Sequence, residues 1–279
     1  MAVFSTKRFW LIALAAVLFV YLGRIETGPS LYLVVLSSAI IYGRYRSPKT
    51  GIFPQHTPRL TAFLLGSAGL TWVVYRSHQS VIPVGGDVLS GFYLLVAVPS
   101  YWLMAWGWGV CRQHWRELSL LAALAFPVRS LHTWTSLITW ISTLDAKLST
   151  YLLWYVGFQA SRQDNFVLLP EGSVEVNFSC SSVDIVALVI KLVVLSYYLF
   201  VLTSTRRWAM LIGGVLVAFL VNGCRIALLA ILVAQNNDAA FTFWHGAQGA
   251  ELFVTGMMLA FGAIAFRLSR NEFNFDPFL

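Results

Sequence analysis

Apolar residues run in long blocks along this chain, separated by short stretches that carry most of its charges, prolines and turn residues. The blocks lie near 9–22, 29–43, 60–75, 88–110, 117–131, 183–203, 208–234 and 246–266, the first two being short. A helix needs roughly 20 apolar residues to cross the hydrocarbon core of a bilayer. The pattern therefore predicts an all-α membrane protein, a polytopic helical bundle of about eight transmembrane helices. We expect one polytopic domain over 1–279, with its last three spans inside 183–279.

The stretch from about 132 to 182 breaks the pattern and is expected to be an extracytoplasmic insertion. Asp145-Ala146-Lys147-Leu148, followed by Tyr151, Leu152, Trp154, Tyr155 and Gly157, has the apolar and aromatic pattern of a small helix lying on a membrane surface. Phe166-Val167-Leu168-Leu169, a Pro170-Glu171-Gly172 turn and the alternating Val174-Glu175-Val176-Asn177-Phe178 predict a β-hairpin. Its second strand delivers Cys180 to the start of the sixth span. The one linker-like stretch is 45–59, with Pro48, Pro54 and Pro58.

Composition agrees with the pattern, since 58% hydrophobic and 11% charged residues cannot be arranged around one soluble core. Lys7 and Arg8 precede the first block in the manner of a secretory signal, yet Phe19 to Arg24 offers no small-residue cleavage site, so an uncleaved span is expected. The basic residues orient the rest. One set of connections holds Lys7, Arg8, Arg44, Arg46, Lys49, Arg59, Arg112, Arg116, Arg206, Arg207, Arg267 and Arg270; the other holds Arg24, Arg76, Arg129, Lys147 and Arg162. Basic loops stay in the cytoplasm, which puts both termini there. The net charge of +7 is then mostly cytoplasmic anchoring and calls for no nucleic-acid partner.

Against this background the polar residues in or beside the spans stand out. Arg225 lies inside the block 208–234, where an arginine at the bilayer centre costs roughly 2.5 to 3.5 kcal/mol, so an intramembrane role is the first reading and a snorkelling or paired arginine the second. Asn222 precedes it by one turn and is placed to hold the guanidinium or a substrate backbone. Cys180 precedes an outward-starting helix, where the helix N-terminus and a nearby cation would lower its pKa and favour the reactive thiolate. His245 opens the last span on the same side. Asp184 follows Cys180 by one turn and would orient His245, neutralise Arg225 or pair elsewhere. Lys191 and Glu251 read as structural pairs, and Cys111 and Cys224 as structural thiols. His56, His78, His114 and His132 show no metal-ligand spacing. The chain holds no His-Glu-x-x-His pair and no Gly-x-Ser-x-Gly elbow, and Gly85-Gly86-Asp87 lacks the spacer of intramembrane aspartyl proteases. A cysteine mechanism survives this elimination, with no metal or other cofactor expected.

Leu169-Pro170-Glu171-Gly172 and the hairpin leading to Cys180-Ser181, then Asn222-Gly223-Cys224-Arg225-Ile226, then Phe243-Trp244-His245-Gly246 resemble the exosortase and archaeosortase group of multi-pass membrane transpeptidases. The resemblance covers the chain from about Thr143, and Gln248-Gly249-Ala250-Glu251 looks closest to the cyanobacterial branch. Ser182 stands where the family usually has Gly, and Asp184 where many members carry Arg. The resemblance implies Cys180, Arg225 and His245 as catalytic residues, with Asn222, Asp184 and Ser181 in support. It implies as partners secreted proteins ending in a PEP-CTERM-type sorting signal: a short motif, a transmembrane helix and a basic tail. The acceptor nucleophile stays unknown, and the setting would be the cytoplasmic (inner) membrane with the site on its extracytoplasmic side. A different class stays open on the residues alone: a transporter or channel component whose Arg225, Asp184 and Lys191 line a pathway.

Overall fold

A computed structural model describes residues 13–20, 22, 33–40, 59–79, 92–126 and 135–270. The first two expected spans lie partly outside these residues, though 13–20 and 33–40 are helical; Gly85-Gly86-Asp87, His56 and His132 lie wholly outside. The protein is mostly helical and divides into two compact units, Met1–Ser130 with Phe278–Leu279, and Leu131–Pro277.

In the first unit, α1 (Leu60–Gln79) packs antiparallel to α2 (Tyr93–Gln113). The helices close on small residues: a Cβ at Gly66 would come within 2.5 Å of the Ser100 carbonyl oxygen, and one at Gly69 within 2.2 Å of Ser100 Oγ. Close approach of this kind holds apolar helices together where water supplies no hydrophobic drive. Pro99 lies inside α2, and Gly107 breaks the helix with a φ of 79° that side-chain-bearing residues rarely adopt. The third helix, α3 (Trp115–Ala125), has only 11 described residues, shorter than the span expected there.

The second unit is built around one long helix. In chain order it comprises α4 (Thr135–Tyr155), the strands β1 (Ser161–Gln163), β2 (Phe166–Leu169) and β3 (Gly172–Glu175), then α5 (Val183–Leu199), α6 (Ser204–Ala234), α7 (Asp238–His245) and α8 (Ala247–Ser269). Among the described residues, α6 and α8 are the helices plainly long and apolar enough to cross a membrane. Every fourth residue of α6 from Met210 is buried, through Gly214, Ala218, Asn222, Ile226 and Ala230. The glycine of this stripe, and Gly223 beside it, let neighbours come close: a Cβ at Gly214 would meet Val189 of α5 at 2.7 Å and Phe261 of α8 at 3.0 Å, and one at Gly223 would meet Leu148 of α4 at 2.9 Å.

The helix expected to lie on a surface is the second half of the 21-residue α4, packed along α6. Its Leu148 reaches Gly223, eleven residues or roughly 16 Å from the C-terminal end of α6. The three strands form an antiparallel meander in the order β1-β2-β3, with Val167 opposite Val174. Strands β2 and β3 lie against the C-terminal part of α6, where a Cβ at Gly172 would come within 2.9 Å of Val233. Ala146 and Leu153 of α4, Val167 and Leu169 of β2, Val174 of β3 and Ile226 of α6 share one buried cluster, and Cys180 belongs to it.

Candidate active site

Cys180 sits in the turn between β3 and α5, and that turn is wound by one asparagine. Asn177 Oδ1 accepts from the Ser179 backbone N–H at 3.1 Å and from its hydroxyl at 2.7 Å, while the Asn177 carbonyl accepts from the N–H groups of Cys180 at 3.1 Å and Ser181 at 2.9 Å. An asparagine side chain that bonds its own following backbone is a turn-former. Ser181 Oγ adds a bond to the Phe178 carbonyl at 2.9 Å. Cys180 is 3% exposed, and its carbonyl accepts from Asn222 Nδ2 of α6 at 3.0 Å. Asn222, expected near the guanidinium or a substrate backbone, thus holds the backbone of the cysteine.

His245 is the last residue of α7. Asn236, with a φ of 53°, reverses the chain after α6, and Asn237 caps α7 by accepting from the Ala240 N–H at 3.1 Å. After His245 the chain turns back into α8, and Gly249 permits the fold-back: a Cβ there would lie 2.4 Å from Trp244 Cα. The imidazole stacks on Phe241, with ring centres 5.2 Å apart and 9° between planes. Its Nε2 comes to 3.3 Å from Cys180 Sγ, across 65 residues of sequence. The histidine is exposed while the thiol is buried, so the pair opens to its surroundings from the His245 side.

Arg225 is 6% exposed and donates through Nη2 to the His245 carbonyl at 3.1 Å. Its Nε has no partner among the described residues. The guanidinium therefore steadies the histidine backbone and keeps donor capacity free beside the thiol, on which its charge acts. The thiol itself departs from expectation. Burial pushes it above the ordinary cysteine range, Glu175 pushes it further, and the opposing pull of Arg225 and the Ser179 hydroxyl does not overcome that.

Asp184 lies on the exposed side of the first turn of α5. The acid at the site is Asp145, which the sequence did not single out. It is fully buried on α4, and its Oδ2 accepts from the Ser182 backbone N–H at 2.7 Å. Ser142, Asp145 and Ser149 are all buried, a polar stripe at helical spacing that was the available signal. Among the remaining candidates, Lys191 is buried in α5, whereas Glu251 and Cys224 are exposed.

The arrangement can ionise a buried thiol through an adjacent imidazole and offers a cationic donor to an oxygen reacting there. Among the described residues no group of three or more histidine, cysteine, aspartate or glutamate side chains could hold a metal ion. The family model described as transmembrane exosortase matches residues 26–262. No curated protein and no solved structure matches the chain.

Proposed function

The chain belongs to the transmembrane exosortase family, and from that premise we propose that it is a membrane thiol peptidase and transpeptidase that processes C-terminal sorting signals of the PEP-CTERM type. The observation that carries the reading is the 3.3 Å approach of Cys180 Sγ to His245 Nε2, with the Arg225 guanidinium bound to the same histidine. A transporter has no need of that pair.

In the proposed reaction His245 Nε2 takes the thiol proton as Cys180 Sγ attacks the scissile carbonyl. The negative charge that develops on the carbonyl oxygen is held by Arg225 through the donor capacity left at its guanidinium. Collapse breaks the C–N bond, His245 returns the proton to the leaving amine, and the secreted protein remains as a thioester on Cys180. An amine or water then attacks the thioester, giving a new amide or a free acid and restoring the thiol.

The membrane setting fits this chemistry. Arg225 follows Arg207 by eighteen residues, or roughly 27 Å of helix, close to the ~30 Å of a hydrocarbon core. With Arg206 and Arg207 anchored on the cytoplasmic side, the site falls at the opposite, extracytoplasmic boundary of the inner membrane. A substrate whose transmembrane helix is followed by a basic cytoplasmic tail presents the segment before that helix at the same level.

Co-expression of the protein with a secreted reporter carrying such a tail tests the reading. Wild type should shorten the reporter and Cys180→Ala should not, at equal accumulation in the membrane. Equal shortening by both would remove Cys180 as nucleophile.

A further inference from the structure

Within the buried walls of the second unit, polar atoms without partners are concentrated in one place. Six buried side-chain atoms among the described residues have no hydrogen-bond partner: Ser37 Oγ, Ser142 Oγ, Asp145 Oδ1, Ser182 Oγ, Asn222 Oδ1 and Arg225 Nε. Four of them belong to residues that surround Cys180 or anchor its turn, and Ser142 lies one turn below Asp145. A buried polar atom without a protein partner calls for an explanation, and a role at a reacting site is one.

The geometry points to Asp145 as a positioning residue of the thiol site. It accepts the Ser182 N–H and so sets the backbone of the Cys180–Ser182 turn against His245. This rests on the thiol reading above. The bond is short, 2.7 Å, and joins α4 to the residue that precedes α5. Asp145 also faces Asn222 and the Ser182 hydroxyl, which favour its carboxylate form. Asn222 in turn holds the Cys180 carbonyl at 3.0 Å. The cysteine turn is thus gripped on one side from α4, through Ser182, and on the other from α6, through its own carbonyl. The thiol is not touched by either grip, so its direction toward Nε2 depends on both. The atom Asp145 holds is the Ser182 N–H, so the bond restrains a backbone position without using the serine side chain.

The test uses the full chain with Cys111→Ser and Cys224→Ser, which leaves Cys180 as the sole thiol, and compares Asp145, Asp145→Asn and Asp145→Ala. Asparagine keeps an acceptor oxygen for the Ser182 N–H, and alanine does not. For reporter processing we expect Asp145→Ala to lower kcat roughly 100-fold with little change in KM, the size of effect that a misplaced reacting group produces. Asp145→Asn should stay within roughly tenfold of the parent, and the rate of Cys180 alkylation per folded protein should follow the same order. A role in folding alone would lower the yield of folded protein and leave the alkylation rate and kcat per folded molecule unchanged; that result overturns the proposal. So does an Asp145→Asn variant as impaired as Asp145→Ala, which would make the charge and not the bond the operative feature. Alkylation needs no substrate, so it reports on Asp145 even if the reporter is not processed by any variant.

Discussion

Replacing Arg225 with methionine should separate the rate of this protein from its stability. Arg225 is 6% exposed, and among the described residues its guanidinium bonds the His245 carbonyl at 3.1 Å while Nε has no partner. On insertion scales its presence in the apolar helix α6 costs roughly 2.5 to 3.5 kcal/mol, and a hydrogen bond from a charged donor returns roughly 1.5 to 3 kcal/mol. Methionine fills a similar volume without charge, so the two changes nearly cancel and unfolding free energy should move by no more than about 1 kcal/mol. The rate should fall far more. One donor to a developing oxyanion supplies roughly 2.7 to 4 kcal/mol, or about 100- to 1000-fold in kcat. The assay is reporter processing in detergent or proteoliposomes, alongside thermal unfolding of the same preparation. Arg225→Lys should recover the charge but not the planar, multiple-donor geometry, and should remain well below wild type. A methionine variant that loses stability in proportion to its activity would show Arg225 to be a structural brace, and one that processes the reporter normally would refute its role altogether.

Other expectations follow from the same site. Because burial raises the Cys180 thiol above its ordinary range, alkylation of Cys180 in the resting protein should still be accelerating with pH above about pH 8, the thiolate being the reactive form; a plateau near neutral pH would mean a preformed thiolate–imidazolium pair. Gly249→Ala places a Cβ 2.4 Å from Trp244 Cα, so it should cost roughly 1 to 3 kcal/mol of stability and weaken processing by displacing His245. Unaltered melting and processing would show that the turn has room to adjust. Asn222→Ala leaves the Cys180 carbonyl unpaired and should slow processing roughly tenfold, in line with the roughly 1 to 3 kcal/mol cost of an unmade buried bond; an unchanged kcat would show the cysteine turn to be set without it.

Cys180, Arg225 and His245 could be singled out as candidates from the sequence because each is a reactive or charged group set into, or at the end of, an apolar block. Their mutual approach could not be read there, since it depends on the Asn177 turn, on the reversal at Asn236 and on the fold-back at Gly249. The one-turn spacing of Asp184 from Cys180 presumes that both lie on one helix, whereas α5 begins at Val183 and Cys180 belongs to the turn before it. Asp145 was hidden by its neighbours. With Lys147 beside it and aromatic residues beyond, it had the pattern of a surface helix, and only the packing of α4 along α6 shows that its face is buried while that of Lys147 is exposed. The thiol was expected to be acidified by a cation and a helix N-terminus, and burial pushes it the other way against the pull of Arg225. Strand β1 gave no alternation to read, because all three of its residues are exposed.

The most direct measurement is capture of the covalent intermediate. Wild-type protein incubated with a tailed reporter and quenched in acid should yield a reporter–enzyme conjugate that hydroxylamine cleaves, and peptide mapping should place the link on Cys180. A conjugate that persists in Cys180→Ala, or a reporter shortened by that variant, would contradict a thioester on Cys180 and with it the account of this site.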